Sequence, residues 1–209
     1  MARKATRIAT GGGGGPARKI AAVFLDRDGV LVREANWLRE VSQLRLLPGA
    51  AAAVKRLNDR GIPVVLVTNQ SVVARGWLTL AGLAEIHAEM ARRLARQGAH
   101  LDGIYICPHH ATEGVGEFRR PCCCRKPEPG MLLQAAEELG LPLAETVIIG
   151  DKLSDLEAGR RVGCTTVLVL SGQGRAHYRE ARKQGREDLA DAVCTTLTTA
   201  VEWCLEGRG

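Results

Sequence analysis

Aromatic side chains are scarce in this chain: three Trp, two Tyr and two Phe make up 3% of its 209 residues. That scarcity removes the stacking platforms on which single-stranded nucleic-acid modules depend. Long hydrophobic runs are missing as well, and none approaches the roughly 20 apolar residues that a spanning helix needs. The first 19 residues contain no acid and no apolar segment of the kind a secretory leader carries, so a cytoplasmic protein is expected. They hold Arg3, Lys4, Arg7, Arg18, Lys19 and a five-glycine run, which reads as a flexible basic tail. Five of the six formal positive charges belong to that tail, so residues 20–209 balance 24 bases against 23 acids. A near-neutral body with few aromatics is not expected to bind nucleic acid or a membrane surface.

What is present is an alternation of short apolar runs and helical patterns from Ile20 onward. "IAAVFLD", "IPVVLVTN", "LDGIYIC", "ETVIIGD" and "CTTVLVLSG" have the length and near-continuous apolarity of strands buried on both faces. Between them, "PGAAAAVKRLNDRG", "TLAGLAEIHAEMARRLARQG", "PGMLLQAAEELG" and "SDLEAGRRVG" carry helical spacing, with Thr79 as an N-cap and Gly98 as a stop. "DAVCT" reads as an edge strand and "LTTAVEWCLEG" as a final helix. The alternation predicts one α/β domain over 20–209, a doubly wound, Rossmann-like parallel sheet.

In such sheets a site forms outside the carboxyl ends of the strands. Those ends are Asp26, Arg27 and Asp28; Thr68 and Asn69; Cys107; and Asp151. Asp26 and Asp28, two positions apart at a strand end, are expected to project to the same side. Two carboxylates so close repel unless a cation sits between them or one holds a proton. Oxygen donors of this kind suit Mg²⁺. An aspartate can attack phosphorus as a covalent nucleophile while a neighbour moves the proton.

"FLDRDG", "VVLVTNQ", "RKPEPGM" and "IIGDKLSD", in this order, resemble the four motifs of haloacid dehalogenase-type phosphatases, over nearly all of residues 20–175. The resemblance implies a haloacid dehalogenase fold without a separate cap domain and an open-sited monomer. It makes Asp26 the nucleophile and Asp28 the general acid/base, with Thr68 bonding the phosphoryl group and Lys126 balancing charge. Mg²⁺ would be held by Asp26, by Asp28 through its backbone carbonyl and by Asp151, with Asp155 orienting its neighbours.

The seven cysteines argue against a disulfide framework in a reducing compartment. Cys164, Cys194 and Cys204 sit in apolar or helical contexts and read as small hydrophobes. "CPHH" at 107–110 and "CCC" at 122–124 give a Cys-x-His pair and, after a 12-residue gap, a Cys-x-Cys pair. Cys107, His109, Cys122 and Cys124 therefore form a candidate tetrahedral Zn²⁺ site on the loop 107–124, with His110 as the substitute for His109 and Cys123 pointing away. The loop ends at Arg125 and Lys126, so the metal would fix the reach of both.

"TNQS", "ARG", "LDGIYICPHH", "CRKPEPGMLL" and "GDKLSD" further resemble the zinc-bearing heptose-1,7-bisphosphate 7-phosphatase family, with histidinol-phosphate phosphatases as near relatives. This implies hydrolysis of the 7-phosphate of a sugar bisphosphate that feeds lipopolysaccharide heptose synthesis; a histidinol-phosphate or general small-sugar phosphatase is the alternative. By position, substrate contacts fall on Glu34, Ala35, Asn36 and Trp37, on Thr68, Asn69, Gln70 and Ser71, on Arg125 and Lys126, and on Lys152. Arg125 would face the second phosphate, a role suited to its planar fork of donors. Val32, Val72 and Trp37 depart from the usual motif residues and are expected to reshape the sugar pocket.

Overall fold

The computed structural model describes residues 20–34 and 37–206. The basic tail and the two substrate-contact candidates Ala35 and Asn36 lie outside the described residues. Six strands form one sheet: β1 (Ala22–Leu25), β2 (Val64–Asn69), β3 (Gly103–Cys107), β4 (Thr146–Gly150), β5 (Thr165–Val169) and β6 (Ala192–Cys194). Their order is β3-β2-β1-β4-β5-β6 and every pairing is parallel. The order reverses at β1, between its neighbours β2 and β4, and the strand ends there frame the crevice in which such sheets bind ligands.

The helices are α1 (Ala50–Asn58), α2 (Ser71–Ala74), α3 (Leu80–Ala95), α4 (Gly130–Leu139), α5 (Leu153–Arg161), α6 (Gly174–Gln184) and α7 (Leu197–Leu205). Thr79 caps α3 by accepting the amide of Gly82, as its sequence position predicts. Strand alternation divides the core. Val23, Leu25, Leu66, Val147 and Ile149 pack with α1, α3 and α7 on one face. Phe24, Val65, Val67 and Ile148 pack with α4 and α5 on the other. Both faces of the central strands are thus dry, which is why they read as continuous apolar runs rather than alternating ones.

Two helices were not legible. α2 is a single turn, and α6 runs through the polar stretch "GRAHYREARKQ", in which only Gly174 and Ala181 are buried. A helix with so narrow an apolar stripe offers almost no periodic signal. Among the described residues, no helix is long and apolar enough to cross a membrane.

Val32 and Val72 do not line a pocket. Val32 is wholly buried in the larger core cluster, and Val72 packs with Val73 and Leu83 in a smaller one. Their apolar side chains fill core space, so any reshaping of the sugar pocket by these two residues runs through packing.

Phe24 is fully buried on β1, in the core cluster under α4 and α5, two residues before Asp26. Phe24→Ala is expected to cost about 3–5 kcal/mol and to lower the melting temperature by roughly 6–20 °C. Thermal unfolding followed by circular dichroism checks this.

Candidate functional site

The carboxyl ends of β1 and β4, the first turn of α5 and the loop before α4 bring three buried acids and a buried lysine to one place. Asp26 follows β1, Asp151 follows β4, and Asp155 lies in the first turn of α5. Carboxylate oxygens of these three acids lie within 4.8 Å of one another. Lys126 arrives from the loop before α4 and is 3% exposed. Its ammonium donates to Asp26 Oδ1 at 2.8 Å, to Asp155 Oδ1 at 2.7 Å and to the Val67 carbonyl of β2 at 2.7 Å. An ammonium has three protons, and all three are placed.

The Lys126 backbone is held as firmly. Asn69 donates its amide to the Lys126 carbonyl at 3.0 Å and accepts the Lys126 amide at 3.1 Å. Asn69, expected among the substrate contacts, instead turns both polar atoms onto this lysine. Gln70 is likewise engaged within the site: its amide donates to Thr68 Oγ1 at 2.9 Å and to Asp28 Oδ2 at 3.2 Å. Since Thr68 accepts that bond, its own hydroxyl proton can serve an incoming anion. Ser71, 7% exposed, begins α2 beside them.

Charge states follow from these contacts. Burial raises the Asp26 carboxyl, but Lys126 and Lys152 outweigh burial and leave it below the usual range. Lys126 loses by burial and gains more from Asp155 and Asp26, so it stays protonated. Asp155 is raised by burial against the pull of Lys126, and its Oδ2 accepts the Lys152 amide at 3.0 Å. Burial lowers Lys152, but the surrounding acids, Asp26 first, together outweigh it and raise the group; its ammonium stands 3.9 Å from Glu34 and 3.8 Å from Asp151.

Asp151 is the least well matched of the acids, with Lys152 3.8 Å from its Oδ1 and no hydrogen bond there. It is fully buried; Oδ2 accepts the Gln173 amide at 2.8 Å, while Oδ1 has no hydrogen-bond partner. Burial pushes its carboxyl up to about 7, with Lys152 opposing and Asp26 and Asp155 adding to the rise. The backbone closes tightly around it. A Cβ on Gly29 (φ 83°) would stand 2.1 Å from Asp151 Oδ2, and one on Gly172 (φ 52°) 2.2 Å. Both positions therefore need glycine for conformation and for space. An orphaned carboxylate oxygen among three clustered acids fits a divalent cation with oxygen donors. Gly172 and Gln173, on the loop from β5 to α6, escaped the sequence reading because that loop carries no charged residue.

Asp28 differs from expectation. Its carboxylate does not join Asp26; it turns to Arg27, whose Nε and Nη2 reach its two oxygens at 3.1 and 2.9 Å. The adjacent guanidinium overrides simple alternation, and the second carboxylate near Asp26 is supplied by β4 and α5 instead.

The thiol and imidazole cluster contains Cys107, His109, Cys122 and Cys124, with donor atoms all within 4.8 Å of one another. His109 Nδ1 lies 3.8 Å from Cys107 Sγ and 3.6 Å from Cys124 Sγ. Four soft donors converging from one loop fit tetrahedral Zn²⁺. His110 is turned elsewhere, its Nδ1 accepting the Glu113 amide at 3.0 Å, and Cys123 is exposed. Arg120 Nη2 meets His109 Nε2 at 3.0 Å. Metal at Nδ1 puts the ring proton on Nε2, so Arg120 has to yield there. Arg125 donates to the His109 carbonyl at 3.0 Å, tying the loop to the residue before Lys126.

Cations and indoles stack together beside the zinc loop, to which Arg75 connects them. Trp37 (φ 80°) and Trp77 meet edge-to-face with centroids 5.3 Å apart. Arg39 lies 4.2 Å over Trp77, and Arg75 lies 4.6 Å from Trp37 and 5.0 Å from Trp77. Arg75 also pairs with Glu113 of the zinc loop, and its charge is felt at Arg125. Arg75 lies in the "ARG" stretch that resembles the family, whereas Trp77 and Arg39 carried no signature in the sequence and are singled out by their three-dimensional stacking.

Two family models match the chain: one for haloacid dehalogenase-like hydrolases at residues 23–79, and a second, HAD-hydrolase-like model at 123–200. The D-glycero-β-D-manno-heptose-1,7-bisphosphate 7-phosphatase of Pasteurella multocida is 44% identical over 174 residues, 81% of this chain and 93% of that protein. The protein of the same name from Escherichia coli K12 is 42% identical over 159 residues, 75% and 83% of the two chains. The crystal structure of the D,D-heptose 1,7-bisphosphate phosphatase of B. bronchiseptica, complexed with magnesium and phosphate, superposes with a TM-score of 0.79 at 36% identity. It covers 88% of this chain and 98% of that one.

Two outcomes follow from this geometry. Below about pH 7 Asp151 holds a proton that a cation must displace. Magnesium affinity is therefore expected to rise about tenfold per pH unit toward 7 and to level off above it. Calorimetric titration between pH 5.5 and 8.5 measures this; a flat profile contradicts it. Zinc content by mass spectrometry is expected to be one per chain, lost in Cys107→Ala and Cys124→Ala and retained in Cys123→Ala.

Proposed function

The chain belongs to the heptose-1,7-bisphosphate 7-phosphatase family of haloacid dehalogenase-like hydrolases, and from that premise we propose that it removes the 7-phosphate of D-glycero-β-D-manno-heptose 1,7-bisphosphate through an aspartyl-phosphate at Asp26. The observation that carries this reading is the Lys126 ammonium, bonded at once to Asp26, Asp155 and the Val67 carbonyl. It keeps Asp26 ionised and fixes one of its oxygens, so attack on phosphorus falls to Oδ2. The bond from Asp26 to phosphorus forms as the bond from phosphorus to the C7 oxygen breaks. Asp28 gives its proton to that leaving oxygen, then takes one from the water that cleaves the acyl phosphate. Thr68 donates its hydroxyl proton to a phosphoryl oxygen, and Lys126 neutralises charge on the same group.

Asp26, Asp151 and the Asp28 carbonyl would hold Mg²⁺, and the orphaned Asp151 oxygen together with magnesium in the B. bronchiseptica structure supports that assignment. When bound, the cation supplies charge neutralisation at the transferring phosphoryl group. Zn²⁺ on Cys107, His109, Cys122 and Cys124 would order the loop that delivers Arg125 and Lys126, a role in geometry rather than chemistry.

The second phosphate is matched by Arg125 and Arg75, two like charges brought close with one ion-paired acid, Glu113, between the loops. Trp37 and Lys152, with its partner Glu34, would contact the sugar. A cytoplasmic setting accords with seven unpaired thiols.

Phosphate release with Mg²⁺ is expected to favour the β anomer over the α anomer and over histidinol phosphate by about 100-fold, equivalent to roughly 2.7 kcal/mol of transition-state binding. Asp26→Asn is expected to abolish all of it. Equal rates on the three substrates would remove the heptose assignment, and turnover persisting in Asp26→Asn would remove the mechanism.

A further inference from the structure

Arg27 separates the two motif aspartates in sequence. It is 1% exposed and is the largest fully buried side chain among the described residues. A buried guanidinium is tolerated only when its donors are matched. Nε and Nη2 take both oxygens of Asp28, at 3.1 and 2.9 Å. Such a two-point fork fixes the plane of a carboxylate as well as its position. On the other side, Nη1 lies 3.2 Å from Nε2 of His87, a residue of α3 that is 6% exposed.

Arginine has donors only, so His87 Nε2 must accept and the ring proton must sit on Nδ1. Burial first, and then the Arg27 charge, hold the imidazole down at about 3, so the ring is neutral wherever the enzyme works. His87 is therefore a fixed acceptor rather than a switch. The connection runs from α3 through Arg27 to the Asp28 carboxylate, with Gln70 bracing Oδ2 at 3.2 Å from β2's end.

We propose that His87, acting through Arg27, is a positioning residue that sets where the Asp28 carboxyl stands relative to the leaving oxygen. The proposal rests on the preceding reading of Asp28 as the acid/base. Removing the acceptor leaves a buried N–H without a partner, and the fork is then free to rotate away from its plane. The consequence is confined to steps in which Asp28 moves a proton.

Leaving groups separate those steps. A sugar alkoxide needs a proton as it departs, whereas p-nitrophenolate leaves without one. The measurement is single-turnover phosphorylation of the magnesium-loaded full chain by heptose bisphosphate and by p-nitrophenyl phosphate, in His87→Leu and His87→Gln. General acid catalysis contributes about 10²–10⁴-fold. A displaced acid is therefore expected to slow the sugar phosphate about tenfold or more in His87→Leu, with KM unchanged and p-nitrophenyl phosphate within about twofold. His87→Gln, whose amide oxygen can stand near the place of Nε2, is expected to recover most of the loss.

Equal slowing of both substrates, no slowing of either, or a glutamine variant as impaired as the leucine variant overturns the proposal. If His87→Leu does not fold, His87→Asn replaces it, because its amide is one methylene too short to reach Arg27; Asn and Gln behaving alike is then the contrary result. Asp28→Asn, run in parallel, isolates the underlying reading. If it leaves the ratio of the two substrates unchanged, Asp28 is not the acid, and the failure lies there rather than with His87.

Discussion

The interaction on which the site depends is the buried bridge from Lys126 to Asp26 and Asp155. A lone ammonium or carboxylate in this interior would be too costly to keep charged, and removing one partner of such a group costs about 3–5 kcal/mol. Here the lysine's three protons go to β1, β2 and α5 at once, through Asp26, Val67 and Asp155. The bridge therefore joins the central strands at the point where their order reverses. Asn69 then fixes the lysine's backbone with two bonds, so position and charge are set by separate contacts.

Charge balance explains what surrounds this bridge. Three clustered carboxylates face two lysines, Lys126 and Lys152, and the residual charge falls on Asp151. The protein does not cancel that charge with another base. It presses two glycine backbones against one Asp151 oxygen and leaves the other without a hydrogen bond, the arrangement a divalent cation completes. The zinc loop solves a different problem. Residues 107–124 contain little regular structure beyond the short 3-10 turn at Gly116–Phe118, so they need another source of order, and Lys126 follows two residues after Cys124. One cation would serve chemistry, the other the reach of a side chain.

Much of this was legible in the sequence because the relevant signals are local. Strands buried on both faces leave continuous apolar runs, and each run ends at a polar residue that the fold carries to the site. Cys107, His109, Cys122 and Cys124 were readable from spacing, and the structure brings those four donors together. What escaped depends on contacts between distant segments. Asp28 turns away from Asp26 because Arg27 folds back on it, which alternation along a strand cannot foresee. Asn69 looked like a substrate contact, yet its partner lies 57 residues away. Gly172 bears on Asp151 only because β5 lies beside β4, and the pairing of Trp37 with Trp77 requires two loops to meet. α6 was missed for a simpler reason, since it buries too little to leave a period.

Catalysis depends on Lys126 holding Asp26 as the charged nucleophile. The most direct test is chemical-quench trapping of the phosphorylated protein, with mass-spectrometric mapping of the modified residue, in the native chain and in Lys126→Met. Phosphate is expected on Asp26 in the native protein and none in the variant, even where the variant remains folded and binds magnesium. Phosphate on a different residue, or equal labelling of Asp26 without the lysine, would contradict it.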